Sequence, residues 1–160
     1  PDGVRLVVAN RIDNVDPGCA CCGVSADQLI REMEEGGQTV ICDLEAGLGT
    51  ILRLAPGNVD VVLVIANPTA KALEVARRAV EVADDQAEVI VLANRVRDEA
   101  DLDAIRAVIP DHELIVIPED PSIARADRDG VAPIDLDPDS PGVRTLVGLA
   151  ERLAGAPVPA

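Results

Sequence analysis

Aromatic side chains are missing altogether: the 160 residues contain no Phe, Tyr or Trp. Platforms that stack unpaired bases depend on aromatic faces, so that class of nucleic-acid binder is excluded. Lysine is nearly as scarce. Lys71 is the one lysine, and 14 basic residues stand against 29 acidic ones, for a formal charge of −15. A field of that sign repels phosphate backbones and anionic lipid surfaces, which predicts no nucleic-acid partner and no direct membrane binding through this chain. No apolar run approaches the roughly 20 residues that span a bilayer, and no signal peptide precedes the first strand candidate, so a cytoplasmic location is the expectation. The motifs G-x-S-x-G, H-E-x-x-H and G-x-G-x-x-G are absent. Their absence removes hydrolase-elbow, zincin and dinucleotide readings.

What is present is an aliphatic core. Apolar residues make up 48% of the chain, and without aromatics the interior has to be built from Val, Leu, Ile and Ala. A chain of this length fits one domain that buries about 70% of its unfolded surface. Apolar β-branched runs recur at Val4–Ala9, 39–46, Val59–Ala66, Glu88–Ala93 and Leu114–Ile117. Segments with helical spacing separate them: Ser25 to Glu35, opened by the capping box Ser25-Ala26-Asp27-Gln28, then Ala70–Ala83 and Asp98–Val108. A short helix is predicted over Ser122–Arg128, an extended acidic stretch over Pro133–Pro138, and a last helix from Ser140-Pro141 to about Leu153, with Ser as N-cap and Pro in the first turn. A short helix and a turn are expected between Gly49 and Asn58. Strands alternating with helices imply βαβ units. The predicted fold is therefore a single α/β domain over 1–160, a three-layer, mostly parallel sheet with helices on both faces. The continuous apolarity of Val59–Ala66 predicts a strand covered on both sides.

The stretch Thr39-Val40-Ile41-Cys42-Asp43-Leu44-Glu45-Ala46-Gly47 reads as a buried strand whose C-terminal edge delivers two carboxylates and a glycine into a crevice. Open α/β sheets bind ligands at that edge. Asp43 can hold a hydrated Mg²⁺ beside a nucleotide phosphate, and Gly47, with no side chain, lets its backbone N–H approach a terminal phosphate. The plainer alternative is that Asp43 caps a turn and Glu45 is solvated. Asn94-Arg95 follows another apolar run immediately, placing an amide and a guanidinium at the same edge. An Asn there can read a purine by paired hydrogen bonds, and it can equally be a turn former.

The four cysteines lie at Cys19, Cys21, Cys22 and Cys42. Two thiolates one residue apart in a Gly-flanked loop can face one soft metal ion. Tetrahedral thiolate sites want four sulfurs, so a two-fold dimer offering Cys19 and Cys21 from each subunit would complete one. Four cysteines of one chain are a rival set, in which Cys42 would have to leave a strand where it reads as a small buried hydrophobe. Unliganded thiols are the third possibility. His112, in Pro110-Asp111-His112, reads as a solvated loop residue at the wrong end of its strand for catalysis.

In sequence, the C-x-C loop, Asp43-Leu44-Glu45-Ala46-Gly47, Ala66-Asn67-Pro68-Thr69, Ala93-Asn94-Arg95-Val96-Arg97, Ile117-Pro118-Glu119-Asp120, Ala126-Asp127-Arg128-Asp129-Gly130 and Asp137-Pro138-Asp139-Ser140-Pro141 together resemble the CooC-type nickel-insertion ATPases of carbon monoxide dehydrogenase maturation, within the MinD/ParA group of deviant P-loop ATPases. The resemblance covers nearly the whole chain and only the later part of the family's domain. It implies a dimeric, ATP-switched metallochaperone that serves a metalloenzyme client. Asp43 would match the acidic residue that ends the strand beside the Mg²⁺ site, and Gly47 the glycine that senses the γ-phosphate, with Glu45 the further candidate catalytic carboxylate at that strand end. Asn94 would read adenine beside Arg95, and Pro118 and Glu119 would line the base pocket. Cys19 and Cys21 would bind Ni²⁺ or Zn²⁺ across the dimer. Where relatives commonly carry Pro after the second cysteine, this chain has Cys22, which bears on metal preference and stoichiometry.

The family also needs a phosphate-cradling loop of the form G-x-x-x-x-G-K-[ST] after a strand. Lys71 stands in Thr69-Ala70-Lys71-Ala72, without flanking glycines, and reads as a helix start. The expectation is that the P-loop strand and helix precede Pro1, in keeping with the lack of an initial Met, and that the chain as numbered does not hydrolyse ATP. The competing reading is a non-catalytic α/β module for metal or partner binding.

Overall fold

The computed structural model describes residues 39–43 and 56–155. Within them the order is β1 (Val61–Ala66), α1 (Ala70–Ala83), β2 (Glu88–Val96), α2 (Glu99–Val108), β3 (Glu113–Pro118), α3 (Pro121–Asp129), α4 (Pro133–Leu136) and α5 (Pro141–Gly155). The strands form one sheet in the order β1-β2-β3, both pairs parallel, with Val61 opposite Glu88 and Ile90 opposite Glu113. The predicted βαβ architecture is what the described residues adopt.

Helices α1, α2 and α3 begin where a short polar side chain takes a free backbone N–H. Thr69 accepts from the Ala72 amide, Asp98 from the Asp101 amide at 3.0 Å, and Asp120 from the Ser122 amide at 2.8 Å. In α1 the buried residues Leu73, Ala76, Ala79, Val80 and Ala83 fall three and four apart, so one apolar stripe faces the sheet. It packs with α2 residues Leu102 and Ile105 on Val64, Val89, Val91 and Ala93. The opposite face carries Ile90, Leu92 and Ile117 under Leu149 of α5. Because successive strand side chains alternate between faces, β2 feeds both clusters and is buried on both sides.

Three expectations are corrected here. The face of β1 toward α5 is open: Leu63 is 36% and Ile65 61% exposed, because α5 packs chiefly along β3. Residues 39–43 form no strand, and Ile41 is 82% exposed with Cys42 and Asp43 also exposed. A strand exists through hydrogen bonds to a neighbour, and among the described residues 39–43 pair with none. The stretch Pro133–Pro138, expected to be extended, contains the one-turn helix α4, with Pro at its start supplying a pre-set φ. The expected segments at Val4–Ala9, Ser25–Glu35 and most of Gly49–Asn58 lie outside the described residues.

Among the described residues no helix is long and apolar enough to cross a membrane.

Candidate functional site

The C-terminal ends of the three strands share one edge, and the chain does something unusual there. Arg95 has φ 59°, the one non-glycine residue with positive φ among those described. The left-handed region is disfavoured for a residue with a Cβ, and such strain concentrates at functional sites. It coincides with an irregularity in β2. Asn94 pairs with Ile117 and Val96 with Pro118, so Arg95 is the extra residue of a bulge. The Glu119 amide donates to the Val96 carbonyl at 2.9 Å and extends the β2–β3 contact past the bulge.

The bulge turns Arg95 outward, where its guanidinium lies 3.7 Å from the Glu119 carboxylate. Both side chains are well exposed, so this pair adds little to stability. Asn94 stays half-buried and faces β1, where its Nδ2 donates to Asn67 Oδ1 at 3.0 Å. Pro118 lines an open cleft of about 420 Å³, with Pro141, Arg144 and Thr145 from the first turn of α5.

The cleft wall is held by Asp120. Its Oδ1 accepts from the Ser122 amide and its Oδ2 from the Gly142 amide, both at 2.8 Å, which ties the start of α3 to the start of α5. Burial pushes the Asp120 carboxyl up, and the backbone N–H donors, that of Gly142 first, outweigh it, so the group sits below the usual aspartate range. Gly142 is needed at this contact. A Cβ there would meet Ile123 Cδ1 at 2.8 Å and Asp120 Oδ2 at 3.0 Å. Behind the bulge, Asp101 takes the Arg97 backbone amide at 3.0 Å and its guanidinium at 2.9 and 3.0 Å. That guanidinium, then the amide, holds the Asp101 carboxyl below its ordinary range.

Of the residues expected from sequence, Asn94, Arg95, Pro118 and Glu119 are thus brought to one edge. Asp43 is exposed and makes no hydrogen bond or ion pair with them. Glu45, Gly47, Cys19 and Cys21 lie outside the described residues. Among those described, no group of three or more His, Cys, Asp or Glu is placed to hold a metal. Asn67, Arg144 and Thr145 were not singled out by sequence reasoning. Asn67 and Pro141 stood inside quoted motifs, whereas Arg144 and Thr145 are the residues one helical turn further on, a spacing that would have reached them. His112 is, as expected, a loop residue at the far end of the sheet, but it is half-buried and tied to α1 rather than simply solvated. Its Nε2 lies 2.8 Å from Asp84 Oδ1, beside the C-terminus of α1.

No protein-family model matches the chain. It is similar to three proteins of Methanocaldococcus jannaschii, each described as an uncharacterized ATP-binding protein. One is 30% identical over 142 residues, covering 84% of this chain and 54% of the relative. The others are 26% identical over 127 residues and 24% identical over 135 residues, covering 78% and 81% of this chain and 51% of each relative. The chain spans about half the length of the curated relatives it matches. Among solved structures it is similar to the MinD cell division protein of Aquifex aeolicus, with a TM-score of 0.50 and 26% identity over 64% of this chain and 47% of that one.

Proposed function

From the premise that this chain has the MinD-type P-loop NTPase fold and ATP-binding relatives, we propose that it is the base-binding part of an ATP-hydrolysing switch of the MinD/ParA type. The observation that carries the reading is that Asn94, Arg95, Pro118 and Glu119 meet at the C-terminal sheet edge, where open α/β folds bind ligands, and that Pro118 there lines a cleft with the first turn of α5. With Asn67 occupying one amide proton, Asn94 keeps a carbonyl and a second N–H, one acceptor and one donor, the pair a purine edge requires. Pro118 and Pro141 supply apolar contact in a chain without aromatics. Arg144 has no acidic partner among the described residues, and its planar guanidinium suits a base face or a phosphate.

The phosphates need a counterpart these residues do not supply. With a formal charge of −15 and one lysine placed in the first turn of α1, the chain cannot by itself neutralise a triphosphate. The proposal assigns the lysine-bearing loop to chain outside residues 1–160. Mg²⁺ would neutralise charge on the phosphates, and Asp43, an exposed carboxylate with no ion pair among the described residues, fits as its anchor, with Glu45 and Gly47 following it.

The test is calorimetric titration of the full-length protein with ATP. Asn94→Ala is expected to weaken binding about 10- to 100-fold, the discrimination carried by a paired amide–base contact of roughly 1–3 kcal/mol, with the thermal transition little changed. An unaltered affinity would remove Asn94 from the base site.

The Cys19-Ala20-Cys21 loop supports a finer reading, a dimeric metallochaperone of the CooC type carrying Ni²⁺ or Zn²⁺ to a metalloenzyme client. Thiolates spaced this closely reach one metal, and two chains complete four sulfurs. One metal ion per two chains is expected by elemental analysis, with metal and dimer both lost in Cys19→Ala or Cys21→Ala. Metal-independent monomers would instead leave a partner-binding module without this cargo.

A further inference from the structure

We infer that Asn67 is a positioning residue that sets nucleotide specificity, by holding the Asn94 amide in one orientation, so that it pairs with one purine, which the ATP-binding relatives make adenine, and not with guanine. The inference rests on the proposed base-reading role of Asn94 and adds to it the source of the selection.

An asparagine amide is nearly symmetric in shape and opposite in chemistry. Rotation by half a turn about its last torsion exchanges an acceptor for a donor. Adenine presents an amino donor at position 6 beside an acceptor ring nitrogen at position 1. Guanine presents a carbonyl acceptor at position 6 beside an N–H donor at position 1. A freely turning Asn94 therefore satisfies either base by flipping. One that is held satisfies only one of them and leaves the other facing like against like. A site built to pair a polar edge discriminates strongly because its own groups are otherwise left unpaired.

The structure holds it. Asn94 Nδ2 donates to Asn67 Oδ1 at 3.0 Å across 27 residues of sequence, in a half-buried position. Asn67 is itself fixed from both sides. Ala66 pairs with Ala93 as the last step of the β1–β2 ladder, so Asn67 and Asn94 are the next residues on the two chains, Asn94 still paired with Ile117 of β3. Pro68 restricts the preceding backbone to extended geometry, and the Thr69 amide donates back to the Asn67 carbonyl at 2.8 Å, while the Thr69 side chain caps α1. On the other side, the Arg95 bulge fixes where β2 ends. The Asn67 backbone is thus anchored by a proline turn and a helix cap, and its side-chain Oδ1, turned toward β2, accepts from Asn94 Nδ2 and so sets which way the Asn94 amide faces.

The test is the ratio of GTP to ATP dissociation constants in the full-length protein, measured by calorimetry for wild type, Asn67→Leu, Asn67→Asp and Asn94→Ala. Asn67→Leu removes the lock, and the ratio is expected to fall about tenfold, the size of one paired base contact, with much of the change appearing as tighter GTP binding. Asn67→Asp can only accept, so it enforces the observed orientation and retains the wild-type ratio even where its added charge weakens both nucleotides. A residue that served only the fold would shift both constants together and leave the ratio alone. A wild-type ratio in Asn67→Leu, or a ratio lost equally in Asn67→Asp, overturns the inference. If Asn94→Ala abolishes the discrimination while Asn67→Leu keeps it, the base-reading role stands and the lock alone is wrong. If Asn94→Ala leaves both the ATP affinity and the ratio at wild type, the base is read elsewhere and both ideas fall.

Discussion

Residues 1–160 alone, titrated with ATP and Mg²⁺, are expected to show no binding tighter than about 1 mM, whereas a longer chain that adds the proposed phosphate-binding loop is expected to bind near 1 μM, a difference of about 4 kcal/mol. The size follows from what the cleft lacks. A cradle of backbone N–H groups and a lysine gives charge-assisted hydrogen bonds worth roughly 1.5–3 kcal/mol each, so two or three of them account for the gap. Arg95 cannot replace them, because its guanidinium faces Glu119 at 3.7 Å in a chain of net charge −15. The cleft residues Pro118, Pro141, Arg144 and Thr145 can contribute base contact but no enclosure for three phosphates. Micromolar binding by residues 1–160, seen by calorimetry, would place a complete phosphate site inside this chain and defeat the two-part assembly.

The second large effect concerns the clamp behind the cleft. Asp120→Ala leaves the amides of Ser122 and Gly142 without their acceptor at the starts of two helices, one of them buried, and is expected to destabilise the fold by about 2 kcal/mol. Gly142→Ala drives a methyl against Ile123 and Asp120 and is expected to cost about 1–3 kcal/mol by overpacking. Both variants break the same contact, so the double variant should lose less than the two single losses added. Urea unfolding of the four proteins measures this. The pH dependence carries a sign. The folded Asp120 carboxyl lies below its unfolded value, so its stabilisation is fully present above the unfolded pKa of about 3.9 and is lost as pH falls through the lower folded pKa. The gap between wild type and Asp120→Ala should therefore stay constant from pH 7 to about pH 5 and close only below about pH 4. A gap that widens on acidification would mean that the carboxyl is stabilised in its protonated form.

The opposite end of the sheet needs no such clamp. His112 and Asp84 join the start of β3 to the end of α1, and Arg152 joins α5 to Glu113, whose carboxyl that guanidinium holds below its usual range. These are ties between elements, and the candidate chemistry is confined to the other edge.

Sequence alone determined the order and kind of the elements from Val61 onward, the one-turn helix α4 excepted, because hydrophobic period and caps are local properties. Thr69, Asp98 and Ser140-Pro141 mark helix starts in the residue text itself, and α1 runs over Ala70–Ala83 as the spacing predicts. The approach of Asn94, Pro118 and Glu119 to one edge follows from parallel strands, and a motif reading could reach it. Only the tertiary structure decided the rest. The Arg95 bulge depends on how β2 pairs with β3, and no propensity places a positive φ on arginine. The Asn67–Asn94 hydrogen bond requires the register of β1 on β2 to bring together residues 27 apart. Arg144 and Thr145 line the cleft through the docking of α5 beside β3, and the same docking leaves Leu63 and Ile65 uncovered on a strand whose composition reads as fully buried. In each case the sequence states what a segment can do, and its neighbours determine what it does, since ladder hydrogen bonds and burial belong to pairs of segments.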